Sequence, residues 1–538
     1  MTLTRSQGGV TVTVTGALAD LAAPALDRLV ADGVPAKMLA LDADLWGPDA
    51  RGEAARRLGW IHLATSSRPL LGPLADLHEQ LRAEGLDRIV LCGMGGSSLA
   101  PEVICATAGV PLVAVDTTDP AQVRAAMADL DRTVVVVSSK SGGTLETDSH
   151  YRAFRRAFQD AGIEPAARIV VVTDPESPLE ATATEQGVRA VFRANPDVGG
   201  RYSALTAFGL VPSALAGVDV AALLDDAEAV LGGLGSDDSP ALLLGAALGA
   251  GAVAGRDKVV LSDGGSGIDG FGDWAEQLVA ESTGKQGKGL LPVVVGAPDA
   301  PGDEDRDDSH RVRVGGTAPD PGSGVSGPLG AQFLAWEFAV AVAGRVIGID
   351  PFDQPNVQES KDNTNNLLEQ AGDGPLPDGE PAFTDGPVAV YGDRAVLGDA
   401  TSLPAAITAL LAQVDSGGYL AVMAYLDRLS EAPVAGVRAA LAARLPHPVT
   451  FGWGPRFLHS TGQFHKGGPQ VGVFLQVTAE PDGDVTIPGR PFDFARLQHA
   501  QWLGDLHALE KRHRPVVRVH LTDRAAGIAA LLEAVEAR

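Results

Sequence analysis

The segment TVVVVSSKSGGTLET, residues 133–147, decides the predicted fold. Its first part is a continuous run of valines, which is typical of a strand that is buried on both faces of a parallel sheet. Its second part is rich in Ser, Gly and Thr and leads into a stretch with helical spacing. The segment therefore predicts a strand, a turn and a helix, which together begin a βαβ unit.

The surrounding sequence repeats this pattern. IVLCGMGGSSLAP (89–101) predicts another buried strand followed by a glycine- and serine-rich turn and a helix. VPLVAVD (110–116) and ARIVVVTD (167–174) predict two more strands at intervals that leave room for crossover helices. A second unit of this kind begins near 219–231, with a strand predicted at 258–263.

We expect an α/β protein with two doubly wound, mostly parallel sheets and flanking helices, followed by a C-terminal α/β extension. The predicted ranges are 1–217 for the N-terminal region and first domain, 218–385 for the second domain, and 386–538 for the C-terminal region. The segment GDGPLPDGEPAFTDGP (372–387) is rich in Gly, Pro and Asp, which predicts a linker before the C-terminal region.

Composition excludes several classes of function. The chain has 538 residues and a formal net charge of -26, which argues against binding to nucleic acids or to anionic membranes. Two cysteines without metal-ligand spacing indicate a reducing compartment. No apolar run has the length of a membrane span, and the first residues alternate like a strand rather than a signal peptide. We expect a cytoplasmic protein without a metal or cofactor.

The two strand-to-helix turns predict an anion site. Unpaired N–H groups and the positive end of the helix dipole favour a phosphate at such a turn. One turn alone would more simply be an ordinary helix start. Two turns on successive strands of one sheet favour a ligand at the carboxyl edge. Neither turn is a GxGxxG or Walker A sequence, so a monophosphate fits better than a dinucleotide.

Four segments in the same order resemble the signatures of the phosphoglucose isomerases, which contain sugar isomerase (SIS) domains. They are SSKSGGTLET (138–147), VGGRYSALTAFGLVP (198–212), EQLVAESTGKQGKGLLP (276–292) and PFDQPNVQESK (351–361). The segments GMGGSSLAPE and STGQFHKGGP are similar to sequences of a bacterial branch of the family, in which the isomerase is also found fused to a transaldolase. The resemblance implies two SIS-type sheets and interconversion of glucose 6-phosphate and fructose 6-phosphate through a cis-enediol.

The resemblance also implies site residues. Glu281 corresponds to the base that moves a proton between C2 and C1, and Arg201 to the cation that stabilises the enediolate. Gln277 lies one helical turn before Glu281 and shares its face. The positions that match the family's phosphate site are Gly96, Ser97, Ser139, Lys140, Ser141 and Thr144.

Ring opening is assigned less directly. Lys361 and Gln354 match the lysine and glutamine of the family's F-D-Q motif, although Asn356 and Gln358 depart from it. The family's catalytic histidine lies before this motif, where the present chain has only His310, in a strand-edge context. The segment 454–469 instead contains two histidines in a glycine-rich stretch.

We place His465 first and His459 second as candidates for the ring-opening histidine. In the family this histidine comes from the neighbouring subunit, so the resemblance implies a homodimer with shared sites. Three alternatives stay open: an isomerase that also accepts mannose 6-phosphate, a non-catalytic regulatory protein that binds sugar phosphates, and a scaffold partner of a transaldolase.

Overall fold

The computed structural model describes residues 1–372 and 374–537, and for 357, 358, 360 and 361 it describes the backbone alone. The strands are β1 Thr2–Gln7, β2 Val10–Thr15, β3 Arg88–Gly93, β4 Val113–Val115, β5 Thr133–Ser138, β6 Ile169–Thr173, β7 Ala190–Arg193, β8 Lys258–Asp263, β9 Leu291–Gly296, β10 Ser309–Val314, β11 Gly322–Ser326, β12 Phe383–Asp385, β13 Val388–Gly392, β14 Tyr419–Ala424, β15 Val449–Trp453, β16 Gly472–Ala479 and β17 Val516–Leu521.

The helices that connect these strands cover the sheets and set the positions of the loops. They are α1 Gly16–Ala31, α2 Val34–Leu39, α3 Arg51–Arg57, α4 Leu63–Ser66, α5 Leu71–Ala83, α6 Leu99–Thr107, α7 Pro120–Ala126, α8 Leu145–Asp160, α9 Pro178–Glu185, α10 Ala207–Ala216, α11 Val220–Leu234, α12 Pro240–Val253, α13 Phe271–Thr283, α14 Leu329–Ile347, α15 Val357–Ala371, α16 Arg394–Leu397, α17 Leu403–Leu411, α18 Gly436–Ala442, α19 Gly462–Gly467, α20 Phe494–Glu510 and α21 Arg524–Glu536.

The first sheet has the strand order β4-β3-β5-β6-β7, and its neighbouring strands are parallel. Every residue of β5 is buried, as expected of a strand with helices on both faces. The parallel α/β class predicted from the valine-rich runs is confirmed. Because β3 and β5 are parallel neighbours, the turns that follow them lie at the same edge of the sheet.

The second sheet has the order β1-β2-β11-β10-β8-β9. Its centre comes from residues 258–326, but β1 and β2 form an antiparallel hairpin that pairs with β11. Val10, Val12 and Val14 are buried on one face of this hairpin, which packs against α12. The first fifteen residues thus belong to the second sheet although they precede the first sheet in the chain. The division at residues 217 and 385 stays a prediction.

The third sheet contains residues 383–521 in the order β12-β13-β17-β16-β14-β15. Strands β14 to β17 are parallel, and β12 and β13 form an antiparallel edge. The predicted C-terminal extension is therefore a complete α/β layer of its own.

Three apolar clusters hold these layers together. We call each sheet with its covering helices a unit, so the first, second and third units contain the first, second and third sheets, and the third is the C-terminal unit. One cluster joins the first and second units, and a smaller one lies within the third unit. The remaining cluster combines residues of all three units, including Val137, Val293 and Phe474. Helix α14 is long and apolar enough to cross a membrane by length and composition alone, but 83% of that stretch is buried, where it packs against α11 and α12.

Candidate functional site

A polar pocket of about 320 Å³ lies at the carboxyl ends of β3 and β5, where open α/β sheets bind ligands. Both predicted turns contribute to it, together with residues from α13 and from the third unit. The lining residues are Met94, Gly95, Gly96, Ser97, Ser138, Ser139, Lys140, Ser141, Thr144, Asp174, Gly200, Gln277, Glu281, Gln354 and His459.

The first turn needs its glycines for close packing. A Cβ atom on Gly96 would lie 1.9 Å from the carbonyl oxygen of Gly200, so a side chain would force apart the two loops that carry the pocket. Gly95 has a φ of +56°, in the left-handed region that favours glycine. Ser97 faces the pocket, whereas the Ser98 hydroxyl donates to the Gly95 carbonyl oxygen. The turn therefore offers the Ser97 hydroxyl and closely approachable backbone to a ligand.

The second turn leads into α8. Its hydroxyls also stabilise the turn itself: Gly142 N–H donates to Ser139 Oγ at 3.2 Å, and Gly143 N–H donates to Ser141 Oγ at 3.3 Å. Thr144 is the residue before the helix, and its side chain makes no capping hydrogen bond to the helix. Thr144 lines the pocket, so the positive end of the α8 dipole lies at the pocket wall.

The ammonium group of Lys140 is paired within the pocket. Its Nζ lies 2.6 Å from Asp174 Oδ2 and donates to the Pro196 carbonyl oxygen at 3.2 Å. Burial raises the pKa of Asp174, and the Lys140 charge opposes this rise. Asp174 is a pocket residue that the sequence did not reveal, because its partner lies on another strand-to-helix turn. Lys140 therefore adds little net positive charge to the pocket.

Glu281 occupies the last turn of α13 and is buried, with its carboxylate at the pocket wall. Arg201 Nη1 lies 3.7 Å from Glu281 Oε2, and Gln277 Nε2 donates to Glu281 Oε1 at 3.5 Å. Burial raises the pKa of Glu281, while the positive charge of Arg201 acts in the opposite direction without cancelling the rise. A carboxylate in this setting is suited to accept and return a proton near neutral pH.

Arg201 is held rigidly by its hydrogen bonds. Its guanidinium donates to Ser282 Oγ at 2.8 Å and to Gln354 Oε1 at 3.1 Å. It also donates to the carbonyl oxygens of Pro351 and Asp353, at 2.6 and 3.0 Å. These contacts join three of the sequence segments singled out above, which are more than 60 residues apart in the chain. Arg201 is therefore fixed beside the carboxylate of Glu281.

Lys285, from the E-S-x-G-K sequence, binds Asp353, whose carbonyl oxygen also accepts a hydrogen bond from Arg201. Its Nζ donates to both the side-chain and the carbonyl oxygen of Asp353 at 2.6 Å. Burial lowers the pKa of Lys285 to about 8, and the nearby Arg201 acts in the same direction. Gln354 lines the pocket, and the side chain of Lys361 lies outside the described residues. Lys285 thus holds the segment that carries Gln354.

His459 reaches the pocket from the third unit, on a 3₁₀ turn formed by Arg456–His459. Its Nε2 is hydrogen-bonded to Glu146 Oε1 at 3.0 Å, and Gln501 Nε2 donates to the same oxygen at 2.8 Å. Gln277 Nε2 donates to the carbonyl oxygen of His459 at 2.9 Å. Glu146 lies in the first turn of α8 within the T-L-E-T sequence, but its partners are more than 300 residues away, so the sequence did not single it out.

His465 does not reach the pocket. Its ring lies among the rings of Tyr419, Phe457 and Phe474, with centroid distances of 5.2 to 6.2 Å. Burial lowers its pKa to about 3, and neither ring nitrogen has a hydrogen-bond partner among the described residues. His310 lies in β10, bonded to Ser323 Oγ at 2.8 Å and remote from the pocket lining. Of the three histidines considered, the structure brings His459 alone to the pocket.

A cluster of charged side chains anchors the turn that carries His459. Arg456 lies 2.5 Å from Asp116 and 2.6 Å from Glu102, and Arg428 lies 2.7 Å from Glu102. Asp273, at the start of α13, is 3.4 Å from Arg456. Two arginines of the third unit thus meet carboxylates of the first and second units, which places the His459 turn against both.

The fold defines an α/β protein with largely parallel sheets and a polar pocket at the carboxyl ends of two neighbouring strands. The solved structure of a glucose-6-phosphate isomerase from Chlamydia trachomatis has the same fold, with a TM-score of 0.54 at 20% identity. That similarity covers 68% of this chain and 90% of the Chlamydia chain.

The sequence profile described as phosphoglucose isomerase matches residues 80–232. Over that range the chain is similar in sequence to the phosphoglucose isomerase family. It is 32% identical over 297 residues to a "Probable glucose-6-phosphate isomerase" of Haloarcula marismortui, covering 54% of this chain and 66% of that protein. A protein of the same name from Natronomonas pharaonis is 34% identical over 253 residues, which are 46% of this chain and 58% of that relative. The matches span less than two thirds of either relative's length.

Proposed function

We propose that this protein interconverts glucose 6-phosphate and fructose 6-phosphate. The observation that carries the proposal is the buried Glu281 carboxylate beside Arg201, at the wall of a pocket that two helix starts also line. Binding alone would not need an ionisable carboxylate in a buried position, because its burial costs free energy. This favours an enzyme over a non-catalytic regulatory protein or a scaffold.

Glu281 removes the C2 proton of the open-chain aldose and returns it to C1. As the C–H electron pair forms the C1–C2 double bond, the electron pair of the C1 carbonyl moves onto O1 and gives a cis-enediolate. A proton passes from O2 to O1, the Glu281 proton is added to C1, and an electron pair of O2 re-forms the carbonyl at C2. Negative charge develops on the oxygens during this transfer, and a fixed cation nearby stabilises it. We assign that role to Arg201, whose hydrogen bonds hold it in place before substrate arrives.

We assign the phosphate to the backbone N–H groups and hydroxyls of the two turns, at Gly96, Ser97, Ser139, Ser141 and Thr144, with Lys140 beside them. Gln277 and Gln354 also line the pocket and can bind sugar hydroxyls. A phosphate held by the turns would fix the position of C1 and C2 relative to the base.

We assign ring opening to His459 in preference to His465. The hydrogen bond between His459 and Glu146 orients the imidazole at the pocket wall, as required of a group that exchanges protons with the ring oxygen. The buried apolar surroundings of His465 disfavour its charged form. Lys361 stays a candidate through the sequence resemblance. The homodimer and the cytoplasmic location are likewise proposals from that resemblance.

A coupled assay tests the function: fructose 6-phosphate is supplied and glucose 6-phosphate formation is followed for the wild type and Glu281→Gln. We expect Glu281→Gln to lower kcat by about 10² or more, as is typical for loss of a catalytic base. Glu337→Gln is the matched control, since Glu337 is a fully buried carboxyl on α14 that does not line the pocket. Burial raises its pKa well above the usual range, so glutamine resembles its protonated form.

An inactive wild type, or near-normal turnover by Glu281→Gln, would rule out the proposal. The same assay with mannose 6-phosphate as the supplied sugar tests the dual-substrate alternative.

A further inference from the structure

We propose that each chain holds a complete catalytic site, in which the C-terminal α/β unit (residues 386–538) supplies His459 to the pocket of its own chain. This inference rests on the proposed function. It differs from the expectation drawn from the resemblance, in which the histidine comes from a neighbouring subunit.

The contacts of His459 give the first argument. Its imidazole is bonded to Glu146 of the first unit, and its carbonyl oxygen accepts from Gln277 of the second unit. Gln501, also of the C-terminal unit, donates to Glu146 and accepts from the Thr118 hydroxyl. Both ends of the histidine are thus engaged by groups of the same chain, and a partner's histidine could enter only by displacing them.

The segments flanking His459 are fixed in the same way. The Ser460 hydroxyl donates to Glu276 at 3.1 Å on one side of α13. Gln463 Nε2 donates to the Gly284 carbonyl oxygen at 2.9 Å and to Asn356 Oδ1 at 2.9 Å. Arg456 forms its ion pairs with Asp116 and Glu102 immediately before the histidine. The His459 segment is therefore bonded to the other two units along its whole length.

Packing gives an independent argument. The apolar cluster shared by all three units contains Phe457 and Leu458 of the His459 turn, together with Val137 of the first sheet and Ala280 of α13. All four are buried. Apolar area buried at this junction stabilises the arrangement in proportion to its extent. The C-terminal unit is thus part of the same folded body as the pocket, rather than an arm reaching toward another chain.

Co-expression of two differently tagged inactive chains tests the proposal. One chain carries Glu281→Gln and the other carries His459→Ala, and the mixture is purified through both tags and separately as total protein. We expect no activity above that of the two variants measured alone. If subunits shared their sites, mixed dimers would carry one intact site, and total protein would recover about a quarter of wild-type activity under random pairing of a two-fold dimer.

The reciprocal mixture is the control. Wild-type chains co-expressed with chains carrying both substitutions should keep their full activity per wild-type chain. Sites shared across a dimer would instead lose about half of that activity, because every mixed dimer would have two defective sites under two-fold symmetry. Recovery in the first mixture together with loss in the second would overturn the proposal, and a monomeric protein would give the results that we expect.

The two proposals fail in different ways. If the wild type does not isomerise fructose 6-phosphate, the proposed function fails. If the wild type is active and the mixtures behave as shared sites, only the intrachain arrangement fails.

Discussion

Glu281 must be ionised to accept a proton, and its surroundings determine the pH at which this happens. Burial raises its pKa, and the Arg201 charge limits the rise. Activity should therefore fall as pH decreases through that raised pKa. We expect Arg201→Gln to move the acidic limb of kcat/KM to higher pH, because the opposing positive charge is lost. The measurement is a pH profile of kcat/KM for fructose 6-phosphate.

Arg201→Lys is the matched variant, because it keeps the charge but loses the planar donor set. Both variants should be slower than the wild type, but the acidic limb of Arg201→Lys should stay closer to the wild-type position. The substrate phosphate also titrates in this region, and its contribution is common to all three proteins. Identical limbs in the two variants would contradict a role for the Arg201 charge in setting the pKa of Glu281.

Substitution of the two histidines in residues 454–469 should have different effects, one mainly on kcat and the other mainly on Tm. His459→Ala should lower kcat by about 10² or more with little change in Tm, since His459 lines the pocket. His465→Ala should lower Tm, since it leaves a cavity among buried aromatic rings, while activity per folded molecule stays near normal. Turnover of ring-closed substrate and thermal unfolding are measured for both. The opposite pattern would restore His465 as the ring-opening candidate.

Local sequence could identify some of these residues but not their partners. Glu281 and Arg201 lie in signature segments, so both could be named from the sequence. The sequence could not decide between His459 and His465. The two histidines are only six residues apart, yet His459 lies at the pocket wall and His465 lies in an apolar core. Glu146 and Asp174 acquire their significance only through contacts with distant segments, at His459 and Lys140.

Among the elements, the 3₁₀ turn Arg456–His459 carries both an ion-paired arginine, Arg456, and the pocket residue His459. Within the described part of the chain, two residues of this turn form ion pairs: Arg456 and His459. Arg456→Gln would leave the carboxylates of Asp116 and Glu102 without that partner, which is costly for Asp116 because it is fully buried. We expect a lower Tm and a fall in kcat of about tenfold or more, because small displacements of a reacting group are costly.

The split between kcat and KM distinguishes positioning from general damage. KM should change less than kcat in Arg456→Gln, because neither Arg456 nor its carboxylate partners line the pocket, and Arg456→Lys should recover part of the kcat. Arg524→Gln is the control: Arg524 pairs with Asp119 of the first unit and with Glu431 of its own unit, but it lies outside the turn that carries His459. It should lower Tm while kcat per folded molecule is kept. Equal losses of kcat in the two glutamine variants would contradict a specific role for Arg456.

The sequence predicted where strands form better than it predicted which strands pair with each other. The valine run of β5 is buried on both faces, and its surroundings follow from that composition alone. The alternating residues of β2 correctly indicated a strand with one buried face. That β2 pairs with β11, some 300 residues later, depends on which sheet has an open edge, and no local pattern contains this information.

At the scale of the whole molecule, the shared apolar cluster decides how the protein unfolds. Residues of β5 and of β14 contribute to the same core, so neither sheet keeps its packing if the other opens. The sequence indicated a separate C-terminal α/β region after a linker, and its strands form their own sheet. What composition could not show is that one face of this sheet packs on the catalytic units.

We therefore expect Leu531→Ala to weaken the first sheet as well as the third. Leu531 is fully buried in the cluster private to the third unit and belongs to neither of the other two cores. Its truncation should cost about 2–5 kcal/mol of stability. If the units open together, amide protection in β5 (Thr133–Ser138) and β14 (Tyr419–Ala424) should fall by the same free energy.

Hydrogen exchange followed by mass spectrometry measures both strands in one experiment. Leu429→Ala is the matched control, since the Leu429 side chain is 59% exposed and its loss should leave both strands protected. If β14 lost protection in Leu531→Ala while β5 kept it, the C-terminal unit would open independently of the pocket. His459 would then leave the pocket whenever that unit opened, so the shared core is what keeps His459 in the same pocket as Glu281 while the chain is folded.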